Sequence, residues 1–516
     1  MSLAAETSAN RPTPNRPGAY AELETRFHRW TALKDGRAVL EWDQATMMPD
    51  GGAEARAEQV AALDVVCHGL LADPATGDLL SGAEVAAGDL DPWQQANLAE
   101  MRRLWVHATA LEPQLVEALA KTVGRTETLW RQARPAADFA LVKPALADLL
   151  ALVREAAAAK AAKLGVGAYE ALIDEYEPGL TVAEIDRLFD GLVSFLPGLR
   201  AAAIERQARR PAPVVPAGPF ALEGQKTLAR KLMQILGFVF DHGRLDTSHH
   251  PFCGGVPEDV RITTRYSESE FVQGLMGVLH ETGHALYERG RPQAWRYQPV
   301  GMARGMAIHE SQSLLVEMQV CRGAEFLGFL APLLQEAFGG RESAQAGEFS
   351  PENLRRLYAR VEPGFIRVEA DEVCYPSHVI LRYRLEKALI GGSLDLADLP
   401  AAWNEGMREL LGITPPSDRE GCLQDIHWFV GAWGYFPTYT MGAMTAAQLY
   451  DAAKRAVPAI PAAIGKGDFK PLLAWLGEHV HSQASRWSAP ELITRATGKP
   501  LDPAIFKAHL ERRYLG

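Results

Sequence analysis

Apolar positions recur at helical spacing over most of the chain. From residue 20 to about 164, alanine- and leucine-rich amphipathic segments alternate with glycine and proline breaks, the pattern that buries one face of a helix. Residues 54–68 and 144–164 are the clearest helices. The second is read as opening on Pro144, because a first turn tolerates proline, and its run from Glu155 to Lys160 is a strong helix former. Trp42, Asp43, Thr46, Met48 and Pro49 fall at a break and read as a buried turn anchored by the tryptophan. Pro211 to Pro219 holds four prolines and marks a linker or surface loop. Residues 220–240 read as helix, whereas 245–266, rich in Gly, Pro, Thr, Val and aromatics, is where short strands are expected. Helices return over 353–514, interrupted at Thr414-Pro415-Pro416 and by the Gly/Tyr-rich segment 431–439. No internal repeat is evident, so the pattern predicts a mainly α protein with a small β element.

One predicted helix carries chemistry. Residues 269–288 contain no proline, place Leu275, Leu279 and Leu286 on one face and run to a stop at Gly290. His280 and His284 then lie one turn apart, the spacing at which two imidazoles converge on one metal ion. Glu281 projects beside them toward the position of a metal-bound water, the geometry of a zinc hydrolase. Gly283 costs about 1 kcal/mol inside a helix, which suggests that another backbone or a substrate passes close by. A catalytic zinc takes three protein ligands and a structural one usually four, often cysteines. Cys67, Cys253, Cys321, Cys374 and Cys422 are scattered without a C-x-x-C pair. A second helix is expected over residues 302–317, bearing His309-Glu310-Ser311-Gln312-Ser313. Glu310 is the expected third ligand and His309 its competitor; His249 and His250 are lesser alternatives.

Composition narrows the partners. Lys+Arg 53 against Asp+Glu 64 leaves a net charge of −11, an acidic balance that argues against nucleic acid and anionic membranes. Residues 1–18 are polar and proline-rich, an expected disordered tail without the apolar stretch of an export signal. No apolar run is long enough for a membrane span. The unpaired cysteines fit a reducing cytoplasm.

The motifs resemble the carboxypeptidase Taq family of metallocarboxypeptidases. His280-Glu281-Thr282-Gly283-His284 precedes His309-Glu310-Ser311-Gln312. Asp259-Val260-Arg261-Ile262-Thr263 matches D-x-R-x-T, Ile366-Arg367-Val368-Glu369-Ala370-Asp371 matches I-R-x-x-A-D, and Gly421-Cys422-Leu423-Gln424-Asp425-Ile426-His427-Trp428 matches G-x-x-Q-D-x-H-W. The likeness runs from Trp42-Asp43 and Met48-Pro49 to Thr497-Gly498 and Leu501-Asp502-Pro503. It departs at Leu314-Leu315-Val316-Glu317-Met318, where the family usually has R-L-W-E-N, and at Cys374 and Pro376-Ser377. The resemblance implies one catalytic unit over residues 19–516, a saddle-like helical structure with a deep cleft and zinc at its floor, and a homodimer.

It also implies roles. His280, His284 and Glu310 would hold zinc, with cobalt or manganese able to replace it, and Glu281 would be the general base. His427 and Tyr435 are the candidate donors to the oxyanion, with Tyr439 as an alternative, and Asp425 is expected to orient the His427 imidazole. Arg367, then Arg261, is the candidate for gripping a peptide's terminal carboxylate, since a guanidinium binds one with two hydrogen bonds. Glu369 or Asp371 is the expected partner of Arg367, and Asp259 that of Arg261. The expected activity is removal of C-terminal residues from short peptides with broad specificity. An internally cleaving oligopeptidase and a catalytically silent peptide-binding protein are the alternatives.

Overall fold

The computed structural model describes residues 18–248, 251–341, 345 and 347–516. The expected tail up to residue 17 and the pair His249 and His250 lie outside them. Among the described residues the architecture is helical, with one three-stranded sheet, as the apolar periodicity predicts.

Three apolar clusters organise the molecule, two among the helices and a third beneath the sheet. The first four, Gly18–Thr46, Ala53–Ala72, Pro74–Val85 and Pro92–Thr109, bury Tyr20, Leu23, Phe27, Leu80, Leu98 and Met101 among themselves. The last of them starts at Asp91, whose carboxylate accepts the Trp93 and Gln94 N–H groups while the Gln94 side chain accepts from the Asp91 N–H, a reciprocal cap on donors that a helix start leaves unpaired. The larger core runs from Trp130 to Tyr514. Asn97 joins the two layers: its Nδ2 donates to the Tyr20 hydroxyl and to Gln298, each at 3.1 Å, and its Oδ1 accepts from the Val300 N–H.

The sheet consists of β1 (Gly243–Thr247), β2 (Phe252–Val256) and β3 (Asp259–Thr264), in the order β1-β3-β2. β1 pairs parallel to β3 with Gly243 opposite Val260, and β2 antiparallel with Phe252 opposite Thr263. Val260 and Ile262 alternate inward from β3 and pack with Val278 and Ala285 of the helix Val272–Gly290. The period of two along a strand thereby seats the sheet on the helix that carries His280 and His284.

Several boundaries differ from the sequence reading. The helix ending at Leu164 begins at Phe139, not Pro144. Asp138 caps it by accepting the Ala140 N–H, and the buried stripe Val142, Leu146, Leu149, Val153 continues through the proline. Its burial compensates for the one helical hydrogen bond that Pro144 cannot make. Trp42 and Asp43 lie in the last turn of the first helix instead of the break after it. Residues 211–219 form a surface loop tied down by Asn353, which accepts from the Val214 N–H and donates to its carbonyl. Leu199 and Phe220, on either side of that loop, belong to the same core.

Candidate active site

Two helices cross to build the site. The first, Val272–Gly290, carries His280, Glu281 and His284; the second, Met306–Leu314, carries His309 and Glu310. The mid-helix glycine marks the crossing. A Cβ on Gly283 would lie 2.5 Å from the Gln312 carbonyl oxygen and 2.7 Å from the Ser313 Cα, so it is the partner helix's backbone that passes close. A third helix, Pro437–Ala456, presses on the other side, where a Cβ on Gly442 would lie 2.9 Å from the Glu310 Cβ and Cγ.

Start and end of the second helix are set from outside it. It begins four residues later than the sequence suggests, because the Met306 N–H donates to the Tyr176 carbonyl and the Ala307 N–H to the buried Glu177 carboxylate, while Gly305 takes φ +54° against that carboxylate. Beyond Leu314 the backbone widens into a π-helix, Leu315–Cys321. Such widening turns a side chain off the α-helical register, and Glu317, within it, reaches back to His280.

His280, His284 and Glu310 converge: their ligand atoms all lie within 4.8 Å of one another. Glu310 Oε2 is 3.8 Å from His280 Nε2 and 3.4 Å from His284 Nε2, close to the ~3.3 Å edge of a tetrahedron around an ion with bonds of about 2.0–2.1 Å. Their side chains are largely buried, 21%, 11% and 12% exposed.

The outer nitrogens of both imidazoles are occupied. His280 Nδ1–H donates to Glu317 at 3.0 Å, and Glu317 is held in turn by Arg322 at 2.6 Å. His284 Nδ1–H points at the His309 carbonyl at 3.1 Å and at the His309 Nδ1 at 2.7 Å, while His309 Nε2–H donates to Glu288. Each Nε2 therefore faces Glu310 and is the nitrogen that becomes a lone pair when the ring is neutral, the tautomer a metal needs. His309, the competing ligand, has both ring nitrogens engaged away from the convergence point.

The electrostatics favour a cation. Burial opposes a charge on His280, yet the Glu310, Glu317 and Glu281 carboxylates outweigh it and push the imidazole up to about 10. Burial likewise opposes ionisation of Glu310, but His280 and His284 hold it down at about 2. Proton and metal compete for such a spot. Burial pushes the Glu281 carboxyl up to about 7.

A tyrosine-rich wall faces Glu310. Burial and the Glu310 carboxylate raise the phenols of Tyr375, Tyr435 and Tyr439 together. His427 Nε2 lies 3.1 Å from the Tyr439 hydroxyl, and its ring centre 5.6 Å from that of Tyr435. Burial lowers His427 to about 4, so it is neutral.

Two expected partnerships are overturned. Asp425 does not orient His427, whose Nδ1 is 4.0 Å away; its carboxylate is taken by Arg367 through Nε and NH2 and by Arg382 through Nε at 2.6 Å. Arg367 therefore pairs with Asp425 and not with Glu369, which is exposed, or Asp371, which caps the turn at Val373 and Cys374. The Arg367 guanidinium lies 4.6 Å from the Tyr439 ring. Arg261 does pair with Asp259 and lies 4.2 Å from the Trp42 ring centre, with Arg244 4.7 Å from the same ring. Glu317 is the member of this constellation that the sequence reading missed; its only signal is that it survives inside the divergent segment 314–318.

Two imidazoles and a carboxylate aimed at one point, beside Glu281, are the kind of donor set that a metal-dependent hydrolase uses. The sequence profile of the carboxypeptidase Taq (M32) metallopeptidases matches residues 22–514, and the chain belongs to that family. It is 38% identical to thermostable carboxypeptidase 1 of Thermus thermophilus over 507 residues, 96% of this chain and 98% of the relative. Carboxypeptidase 1 of Bacillus subtilis is 33% identical, over 92% of this chain and 94% of its own. Among solved structures, Trypanosoma cruzi metallocarboxypeptidase 1 superposes with a TM-score of 0.94 at 42% identity, covering 96% of this chain and 99% of that one. The M32 carboxypeptidase of Deinococcus radiodurans does so at 0.90 and 34%, covering 96% and 98%. Family membership makes the protein a metallocarboxypeptidase, a peptide hydrolase that uses a divalent metal.

Proposed function

We propose that the protein removes C-terminal residues from short peptides with broad specificity, using zinc held by His280, His284 and Glu310. The convergence of the two Nε2 atoms and the Glu310 oxygen carries this reading; cobalt or manganese would suit the same donors. Bound there, zinc would polarise the scissile carbonyl and lower the pKa of a water to about 7. Glu281 takes the attacking water's proton and returns it to the departing amine. Tyr435, kept protonated by burial, and neutral His427 donate to the oxyanion. Such a donor is worth about 3–4 kcal/mol in the transition state. Arg367 is the first choice for the substrate carboxylate because it stands beside the tyrosine wall, and Arg261 on the sheet is the second.

The setting follows from coarser features. The five cysteines are free, which suits a reducing cytoplasm, and no described helix is long and apolar enough to cross a membrane. Residues 19–516 act as one catalytic unit. A homodimer is the assembly that the family resemblance suggests; light scattering at micromolar concentration tests it.

The deciding experiment follows amino-acid release from an N-blocked short peptide by the zinc-loaded protein. Stepwise release from the C-terminus, lost when that terminus is an amide, is the expected result. Glu281→Gln should lower kcat by about a hundredfold to ten-thousandfold while the metal stays bound. Cleavage of the amidated peptide would instead establish an internal oligopeptidase, and binding without cleavage a silent relative.

A further inference from the structure

The helix Tyr375–Gly391 carries His378, Arg382 and Glu386 at four-residue steps, hence on one face, and all three are fully buried. That face grips the segment 423–439, which bears Asp425, His427 and Tyr435. Arg382 holds its near end through Asp425. Glu386 holds the rest: Oε1 accepts from Trp428 Nε1 at 2.8 Å, and Oε2 accepts from the Gly434 N–H at 3.1 Å and from the Tyr169 hydroxyl at 2.5 Å. Trp428 directly follows His427, and Gly434 directly precedes Tyr435. One carboxylate thus ties down the neighbours of both candidate oxyanion donors.

The local backbone contributes only the turn into the next helix, where the Thr438 N–H and hydroxyl donate to the Tyr435 carbonyl. Residues 431–436 are irregular, with Gly431 and Gly434 at φ +80° and +87°, so no ladder of backbone hydrogen bonds sets the position of Tyr435. Gly434 is also wedged against the Leu172–Ile173 backbone, where a Cβ would approach within 2.9 Å. A buried carboxylate without a directly paired cation is costly, and a core that needed only volume would use a neutral side chain. The three donors here instead fix three points around the site, and burial pushes the carboxyl up to about 7 despite them.

We propose that Glu386 is a positioning residue of the active site, setting the places of His427 through Trp428 and of Tyr435 through Gly434. The inference rests on His427 and Tyr435 serving as oxyanion donors. Glutamine cannot replace Glu386, because neither the indole N–H nor the Gly434 N–H can accept a hydrogen bond, so an amide must face one of them donor to donor.

The test compares zinc-loaded Glu386→Gln, Trp428→Phe, Tyr435→Phe, His427→Ala and the Glu386→Gln/Tyr435→Phe double variant for kcat, KM, metal content and unfolding midpoint. Glu386→Gln should keep its metal and its KM within about twofold and lose about tenfold or more in kcat, the scale of a hydrogen bond to a charged group. Trp428→Phe, which removes one donor and leaves the carboxylate, should lose kcat in the same sense. The double variant should be less impaired than the product of the singles, because both changes act on one donor. An unchanged kcat in Trp428→Phe or Glu386→Gln, with Tyr435→Phe impaired, would overturn the role of Glu386. Unchanged kcat in both Tyr435→Phe and His427→Ala would overturn the donor assignment itself, and the inference with it. If Glu386→Gln fails to fold, Trp428→Phe alone decides.

Discussion

The orientation of the His280 ring, a proposed metal ligand, is set by Glu317, a residue 37 positions away. Glu317 is buried and shared with Arg322, which keeps it ionised although burial alone would raise its pKa. Glu317→Ala should therefore lower metal affinity by about tenfold to a hundredfold, measured by competition with a chromogenic chelator, with folding retained. An unchanged affinity would show that the helix by itself orients the ring. The same logic explains why Asp425, adjacent in sequence to the His427 segment, does not serve that histidine. Two guanidiniums, Arg367 and Arg382, outcompete a neutral imidazole for one carboxylate.

Helix crossings carry the site at the next scale. At Gly283 two backbones approach within the reach of a Cβ, and neither is a flexible side chain that could swing away. Gly283→Ala should cost about 1–3 kcal/mol of stability by overpacking and should part the histidines from Glu310; denaturant unfolding and metal titration read the two effects. Gly442→Ala meets the Glu310 side chain at 2.9 Å and the Ala307 carbonyl oxygen less closely, at 3.2 Å, so it should weaken metal binding with a smaller loss of stability. Gly124, with open space where its Cβ would lie, is the control, and alanine there should be neutral or stabilising by up to about 1 kcal/mol. A uniform response from the three glycines would show that helix propensity, not the crossing, governs them.

At the scale of the molecule, two apolar clusters meet across a polar seam that contains Asn97, Gln298 and the Arg304–Glu100 pair. Asn97→Ala leaves the buried Val300 N–H and Gln298 short of a partner, and should cost about 1–3 kcal/mol. Hydrogen exchange should show the helices of residues 18–109 opening first, since their cluster is the smaller one and the seam is what fastens it. Equal acceleration in both layers would mean that they unfold as one.

The helical class and the candidate cluster of His280, Glu281, His284 and Glu310 were legible in the chain, because each depends on spacing within one helix or on a motif a few residues long. The close approach at Gly283 was legible for the same reason: a glycine inside a helix is disfavoured unless its missing Cβ is needed. Pro144 misled because proline marks a helix start only when no upstream cap and buried stripe extend the helix past it. Tertiary structure alone decided that Glu317 orients His280, that Asp425 binds arginines and that Glu386 holds the His427–Tyr435 segment. Those are pairings between side chains brought together by helix crossings and a π-turn, and no periodicity along the chain encodes which of many acids meets which donor.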